Sequence, residues 1–366
     1  MLTLGAGCGG EAPPPAPPPA PPSSALAPTP VAQTADVDAG PPPASPGPAQ
    51  LTAKAIALPG TNGHATLDYL VFEPAHGRVW VPVGDTGSVD VLDPASGQLT
   101  RIDGFKNAER EVHEKKRMMG PSSGFFGEGF VYVGNRASNE VCPIDVGTLK
   151  PAKCTKLPTP PDGVLYVESA KELWVTTPKD SSVTVLDASK PGTLKPKAVI
   201  KTPGSPEGYA VDETHGVYFT NLEDKDQTVA IDVKTHKLKS TWPSACGGDG
   251  PRGIAVDSSS QVVMVACTDH LQTLDGAHDG APLAKLDTGA GVDNVQWVAS
   301  QRLLYVGAAK AAKLSIVHVD EKGLANVVAT VSTAAGARNA VVDASGTAYL
   351  ADPNNGGILV VPFKTQ

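Results

Sequence analysis

The chain contains no long apolar run. No window of its 366 residues approaches the roughly 18 to 20 consecutive apolar residues that cross a bilayer as a helix. Charge is also sparse, at 19% of residues with a formal net charge of −8, and no lysine or arginine stripe alternates with aromatics. Electrostatic binding to nucleic acid or to an anionic membrane surface is therefore not supported. The five cysteines include no CxxC pair, which argues against a zinc site or a dithiol redox centre. His113-Glu114 lacks a second histidine at helical spacing, and there is no GxSxG elbow, no phosphate-cradling P-loop and no histidine that can be tied to a serine nucleophile.

What the chain does contain is a repeat. Six times an alternating apolar strand ends on an aspartate that opens a turn, at Asp93, Asp145, Asp187, Asp232, Asp275 and Asp320. The intervals run from 42 to 52 residues. A period of this length in an all-strand pattern marks a β-propeller, whose four-stranded blades bury their faces only against one another.

A second landmark precedes each innermost strand: Asp68, Ser122, Asp162, Glu207, Arg252, Asp293 and Arg338. Ten to twelve residues after each landmark stands an apolar or aromatic position of the second strand, namely Trp80, Tyr132, Trp174, Tyr218, Met264, Tyr305 and Tyr349. The count is seven blades. The last lacks a fourth strand, while residues 53 to 59, AKAIALP, form a strand without a blade. The fold class read from this pattern is an all-β seven-bladed propeller, closed by that N-terminal strand so that no pair of sheet edges stays open.

Tyr132-Val133-Gly134-Asn135 and Tyr218-Phe219-Thr220-Asn221 carry versions of one tetrapeptide, with looser copies at Trp174 to Thr177 and Tyr305 to Ala308. This resembles the YVTN-repeat family of seven-bladed propellers, in its bacterial lipoprotein form, over about residues 53 to 363. The resemblance implies fold more than activity: many such proteins are secreted or surface-exposed, and related propellers include lactone hydrolases. No WD dipeptide is present, which argues against the WD40 branch. Asp93 to Gly97, DPASG, resembles the docking motif of quinoprotein dehydrogenases, but the tryptophan expected further on is absent from most blades. A quinone cofactor is not indicated.

The chain divides into residues 1–8, 9–50 and 51–366. Leu4-Gly5-Ala6-Gly7-Cys8 looks like the end of a lipoprotein signal, with Cys8 as the acylated residue and Gly5 in the place usually held by leucine. Seven residues are too few for a basic start and an apolar core, so a start assigned too far downstream, or a trimmed chain, is the expectation. Residues 9–50 hold 15 of the 35 prolines, mixed with alanine, serine and glycine. Such a segment is read as a disordered, semi-rigid spacer in polyproline II, with a reach on the order of 130 Å. The expected location is the bacterial cell envelope, with membrane contact only through the lipid anchor.

The other four cysteines fit an oxidising compartment. Cys142 and Cys154 fall in the third and fourth strands of blade 2 and face each other across a hairpin. Cys246 and Cys267 map to the same rim of blade 5. Both pairs are disulfide candidates.

The seven landmarks open on the top face beside the central channel and form a ring there. With Asn294 and Asn339, which follow two of them, they are the candidate ligand-binding residues: Asp68, Ser122, Asp162, Glu207, Arg252, Asp293, Asn294, Arg338 and Asn339. Arg252 and Arg338 are placed to pair with Glu207, Asp293 and Asp68. Asp162 and Glu207 are adjacent acids, which must raise a pKa or recruit a cation, and their oxygens suit Ca²⁺ or Mg²⁺. Glu207-Gly208 also resembles the motif through which lactone-hydrolysing propellers of the senescence-marker type hold a divalent ion. That resemblance implies an ion polarising a lactone carbonyl and activating water, with Asp162 or Asp293 as base. The alternative is a polar channel lining that bonds to itself and to water.

Loops between second and third strands add charges of mixed sign, including Asp85, Arg136, Lys179, Glu223 and His270, and Leu222 to Asp226 reads as a solvated turn or a cation loop. His278-Asp279-Gly280 resembles a phosphohydrolase dyad but falls in a turn. Residues 104–120 form an insertion whose charged part, Ala108 to Arg117, is predicted to be a short helix serving as a lid or docking element over the channel. The function expected is a binding module, a monomer, that takes a protein, glycan or small ligand across the top face. The alternative is a divalent-metal-dependent lactonase or related hydrolase.

Overall fold

The computed structural model describes residues 48–112 and 115–364. Cys8, nearly all of the proline-rich segment, His113 and Glu114 lie outside them.

Seven four-stranded antiparallel sheets follow one another along the chain, and the sixth gains a fifth strand. Their innermost strands are Val71–Glu73, Pro121–Gly127, Val164–Val167, Pro206–Asp212, Pro251–Asp257, Val292–Val298 and Arg338–Val342. The seven-bladed propeller predicted from the repeat is the fold. The second strand of each blade has sheet neighbours on both sides and another blade against each face. Its side chains are accordingly buried throughout: Trp80, Tyr132, Trp174, Tyr218, Met264 and Tyr305 are fully enclosed, and Tyr349 nearly so. These large side chains fill the spaces between blades. Tyr132 stacks on Tyr166 of blade 3 at 5.9 Å, and Trp174 of blade 3 lies 4.6 Å from Tyr218 of blade 4.

The repeated aspartate has a local cause. Asp93 accepts the Gly97 amide on its carbonyl, while its carboxylate accepts the amides of Ala95 and Ser96. Asp145, Asp232, Asp275 and Asp320 close the equivalent turn in the same manner, while in blade 3 the strand runs on to Lys190 and Asp187 accepts only the Ser189 amide. A short side chain that bonds the backbone two or three residues on is what such a turn requires.

Ring closure is as the sequence predicts. Lys54–Ala57 pairs antiparallel with Gly357–Val361, setting Ile56 opposite Ile358. A further strand, Ala49–Leu51, was not anticipated. It runs parallel to Ala325–Ser332 on the outer edge of blade 6 and reaches two residues into the segment read as linker.

Both predicted disulfides are present, Cys142 to Cys154 and Cys246 to Cys267. The first reinforces the outer edge of blade 2, where the ladder strand is only Thr155–Lys156 and the pairing is continued by single backbone bonds from Ala152 to Pro143 and from Leu157 to Asn139.

The insertion is not a helix. Ala108–Val112 and Lys115–Met119 form an antiparallel hairpin, with Ala108 opposite Met119 and Arg110 opposite Arg117. Its glutamates, lysines and arginines favour helix intrinsically, but the ends of the segment decide otherwise. Phe105 donates to the Gly87 carbonyl and Asn107 to the Asp85 carbonyl, while Gly120 lies so close to Gly84 that a Cβ there would meet its carbonyl at 2.4 Å. Chain that leaves and returns to one place suits a two-stranded ribbon. A ten-residue helix would carry the ends about 15 Å apart.

Candidate functional site at the channel mouth

The landmark residues reach the channel mouth through backbone irregularities. The ladder between first and second strands shifts register between Pro206 and Tyr209, Pro251 and Ile254, Val292 and Val295, and Arg338 and Ala340. Glu207, Arg252 and Asp293 therefore sit inside β-bulges, which re-aim a side chain out of the regular alternation. The glycines that follow three landmarks belong to the same construction. A Cβ on Gly208 would meet the Arg252 carbonyl at 2.2 Å, one on Gly253 the Asn294 Cα at 2.7 Å, and one on Gly163 the Tyr209 ring at 1.9 Å. Only glycine lets neighbouring innermost strands approach this closely. In blades 6 and 7 asparagine takes that place, and Asn339 has a positive φ of 54°, a conformation asparagine tolerates better than most residues.

Asn339 ties three blades together. Its amide donates to Asp68 at 2.8 Å and Asp293 at 3.2 Å, and its carbonyl oxygen accepts the Asn294 amide at 2.9 Å. Arg338 holds Asp293 at 2.8 Å, as its position in the ring predicts. Arg252 departs from the expected pairing: its partner is Glu223, from the loop after the second strand of blade 4, rather than Glu207 or Asp293. The residue the ring reading missed is Arg136. It leaves the second strand of blade 2 and bonds Asp68 of blade 1, at 2.8 Å, and Asp162 of blade 3. Its place directly after Tyr132-Val133-Gly134-Asn135 was the available signal, since that loop opens on the same face as the landmarks.

Five carboxylates, Asp68, Asp162, Glu207, Glu223 and Asp293, thus meet three guanidiniums, and Glu207 is left over. Its carboxylate makes no hydrogen bond or ion pair among the described residues. Burial, reinforced by the charges of Asp293, Glu223 and Asp68 and opposed by Arg136, pushes its pKa up to about 8. Asp293 is also raised, by burial first and Asp68 second, against the pull of Arg338. Burial pulls the Arg136 pKa down, but the surrounding groups, Asp68 first and then Glu207 and Tyr69, together raise it and hold the guanidinium charged. Tyr69 and Tyr209, whose rings lie 5.6 Å apart beside this cluster, are raised by burial. Ser122 is buried, its carbonyl accepts the Tyr69 amide at 3.0 Å, and its hydroxyl has no partner among the described residues.

The donor set fits a divalent ion poorly. One Asp162 oxygen is bonded to Arg136, so the positive charge that Asp162 and Glu207 were expected to recruit is supplied by a side chain. Among the described residues, the one grouping of three potential ligands is Glu140, Cys142 and Cys154, and both of its sulfurs are spent in a disulfide. The Leu222 to Asp226 run is likewise committed. Glu223 holds Arg252, Asp224 accepts the Ser205 amide, and Asp226 accepts the amides of Cys246 and Gly247. His278 bonds Asp275 within its turn and makes no bond to another histidine among the described residues.

The hairpin stands over the same face. Arg110 donates to the Ala137 carbonyl at 3.3 Å, beside Arg136. A cleft of about 520 Å³ lies between the hairpin and blades 7 and 1, and one of about 450 Å³ lies between it and blades 2 and 3.

No protein-family model matches this chain, and no curated protein matches its sequence. Solved structures do. A chain of the mitotic checkpoint complex superposes with a TM-score of 0.68 at 13% identity, covering 93% of this chain and all of the other. Hydrazine synthase of Kuenenia stuttgartiensis gives 0.68 at 14% identity over 85% of this chain and 98% of the other, and a streptogramin B lyase 0.66 at 12% over 85% and 97%. At such identities the likeness shows the propeller fold alone. The class is thereby defined as a seven-bladed propeller with an acid and arginine ring at its mouth.

Proposed function

We propose that this chain is a YVTN-like propeller of the bacterial envelope, tethered through acylated Cys8 and the proline-rich segment, that acts as a binding module through its top face. The observation that supports this best is the mutual neutralisation of the ring. Arg136, Arg252 and Arg338 pair with every carboxylate of the cluster except Glu207, which leaves a largely neutralised polar platform overhung by a hairpin, with Glu207, the Ser122 hydroxyl and one Asp162 oxygen still without partners among the described residues. Site-specific photo-crosslinking in the envelope tests it. A crosslinking residue at Met118 of the hairpin should give adducts, while one at Val199 or Leu238, exposed on outer strands, should not. Adducts confined to the outer strands would overturn the reading.

The hydrolase alternative has one observation in its favour: Glu207 is unpaired, and a carboxyl with its pKa near 8 is protonated at neutral pH and can act as a general acid. Calorimetric Ca²⁺ titration compared with an Asp162→Ala, Glu207→Ala double variant decides its metal-dependent form. Stoichiometric heat lost in the variant would favour the enzyme.

A further inference from the structure

We propose that the 520 Å³ cleft between the hairpin and blades 7 and 1 binds a small polyhydroxylated anion, a sugar carrying a carboxylate or a phosphate. This rests on the top-face reading and gives it a ligand class. The volume falls within the range of small-molecule sites. Three cations line the cleft: Lys116 and Arg117 from the hairpin and Arg338 from the innermost strand of blade 7.

Asp85 is the lone carboxylate in the lining, and it is already occupied. One of its oxygens accepts the Thr66 amide and the other the Thr66 hydroxyl, each at 2.6 Å, and His64 stands 3.5 Å away. Arg338 faces Asp293 through its Nε, and its terminal nitrogens make no hydrogen bond or ion pair among the described residues. Arg117 makes no ion pair there either. Lys116 is held by Glu109 at 3.1 Å, but both side chains are more than half exposed, and such a pair contributes little and exchanges readily.

In a chain with a net charge of −8, the lining of this cleft therefore carries three cations to one carboxylate. Guanidiniums present paired N–H donors that match a carboxylate or phosphate, which a neutral sugar does not use. The Asn354 amide donates to the Ala335 carbonyl at 2.8 Å, which leaves its oxygen, together with His64, for ligand hydroxyls. Apolar lining is confined to Ala65, Leu67, Met118 and Pro353, too little for a lipid tail or an aromatic drug-like molecule.

The test is calorimetric titration of the full chain with glucuronate, glucose 6-phosphate and glucose, at low and at physiological salt. At least one anion should bind and weaken with salt, and glucose should not bind. Arg117→Glu, on an exposed strand that does not carry the core, should weaken the anion by about tenfold or more. Binding of glucuronate alone identifies a carboxylate site, and of glucose 6-phosphate alone a phosphate site. Binding of neither, equal binding of glucose, or an unchanged Arg117→Glu overturns the proposal. If both anions fail while Met118 still crosslinks in the envelope, the top face remains the binding surface and only its ligand class is refuted.

Discussion

Arg136 carries more of the channel mouth than any landmark residue, because one guanidinium spans carboxylates from two other blades. Replacing it with alanine leaves Asp68 and Asp162 facing each other's charge with little water. The expected loss is about 2 to 3 kcal/mol, below that of a fully buried pair because Arg136 keeps about a fifth of its exposure. Denaturant unfolding checks it, and an unchanged midpoint would mean that the pair contributes nothing. Glu207 has the opposite character. Its folded pKa of about 8 lies above the ordinary value of 4.5, so between those limits the native state holds a proton that the unfolded chain releases. This group's contribution is therefore fully present at acid pH and is lost as pH rises through 8. Glu207→Gln should leave stability near pH 4 almost unchanged and raise it at pH 9. A constant difference across that range would show that Glu207 does not titrate as the geometry requires. Neither residue's state was legible in the sequence: Asp68, Asp162 and Arg136 are distant along the chain, and the absence of a partner for Glu207 follows from Arg252 turning to Glu223.

Among the elements, blade 2 has the weakest outer strand and depends on covalent help. Removing the disulfide with Cys142→Ser and Cys154→Ser should cost about 2 to 4 kcal/mol, with the strand at Thr155–Lys156 exchanging its amides sooner than any other outer strand. Hydrogen exchange on the double variant shows this, and unchanged protection at residues 140–156 would refute it. The hairpin illustrates how local preference loses to anchorage. Its composition reads as helix, yet Phe105, Asn107 and Gly120 fix both ends on blade 1, and the chain between them has to return to where it started. The innermost strands had a partial signal in the glycines after Asp162, Glu207 and Arg252. Their bulges had none, because a register shift depends on which partner residue lies opposite.

For the whole molecule, closure is the decisive contact. Lys54–Ala57 is the outermost strand of blade 7, and Leu58, Ala65 and Leu67 pack with Val341, Tyr349 and Ile358 where the ring closes. A chain starting at residue 60 should unfold at a markedly lower temperature and self-associate through the exposed edge at Gly357–Val361, whereas one starting at residue 48 should behave as the full chain does. Thermal unfolding with size-exclusion chromatography separates these outcomes. Equal stability of the two truncations would mean that the ring does not depend on this strand.

The sequence by itself determined the propeller, its seven blades, the strand that closes it and both disulfides. Each of these is written in periodicity: an aspartate every 42 to 52 residues, a buried aromatic at a fixed offset, cysteines on facing strands. Periodicity reports which residues share a face of a sheet. It does not report which charges meet across the axis, and there only the tertiary structure decided. Arg136, Arg252 and Arg338 choose their carboxylates according to bulges and close glycine contacts that set each side chain's direction to within a few ångströms, and an ion pair is gained or lost over that distance.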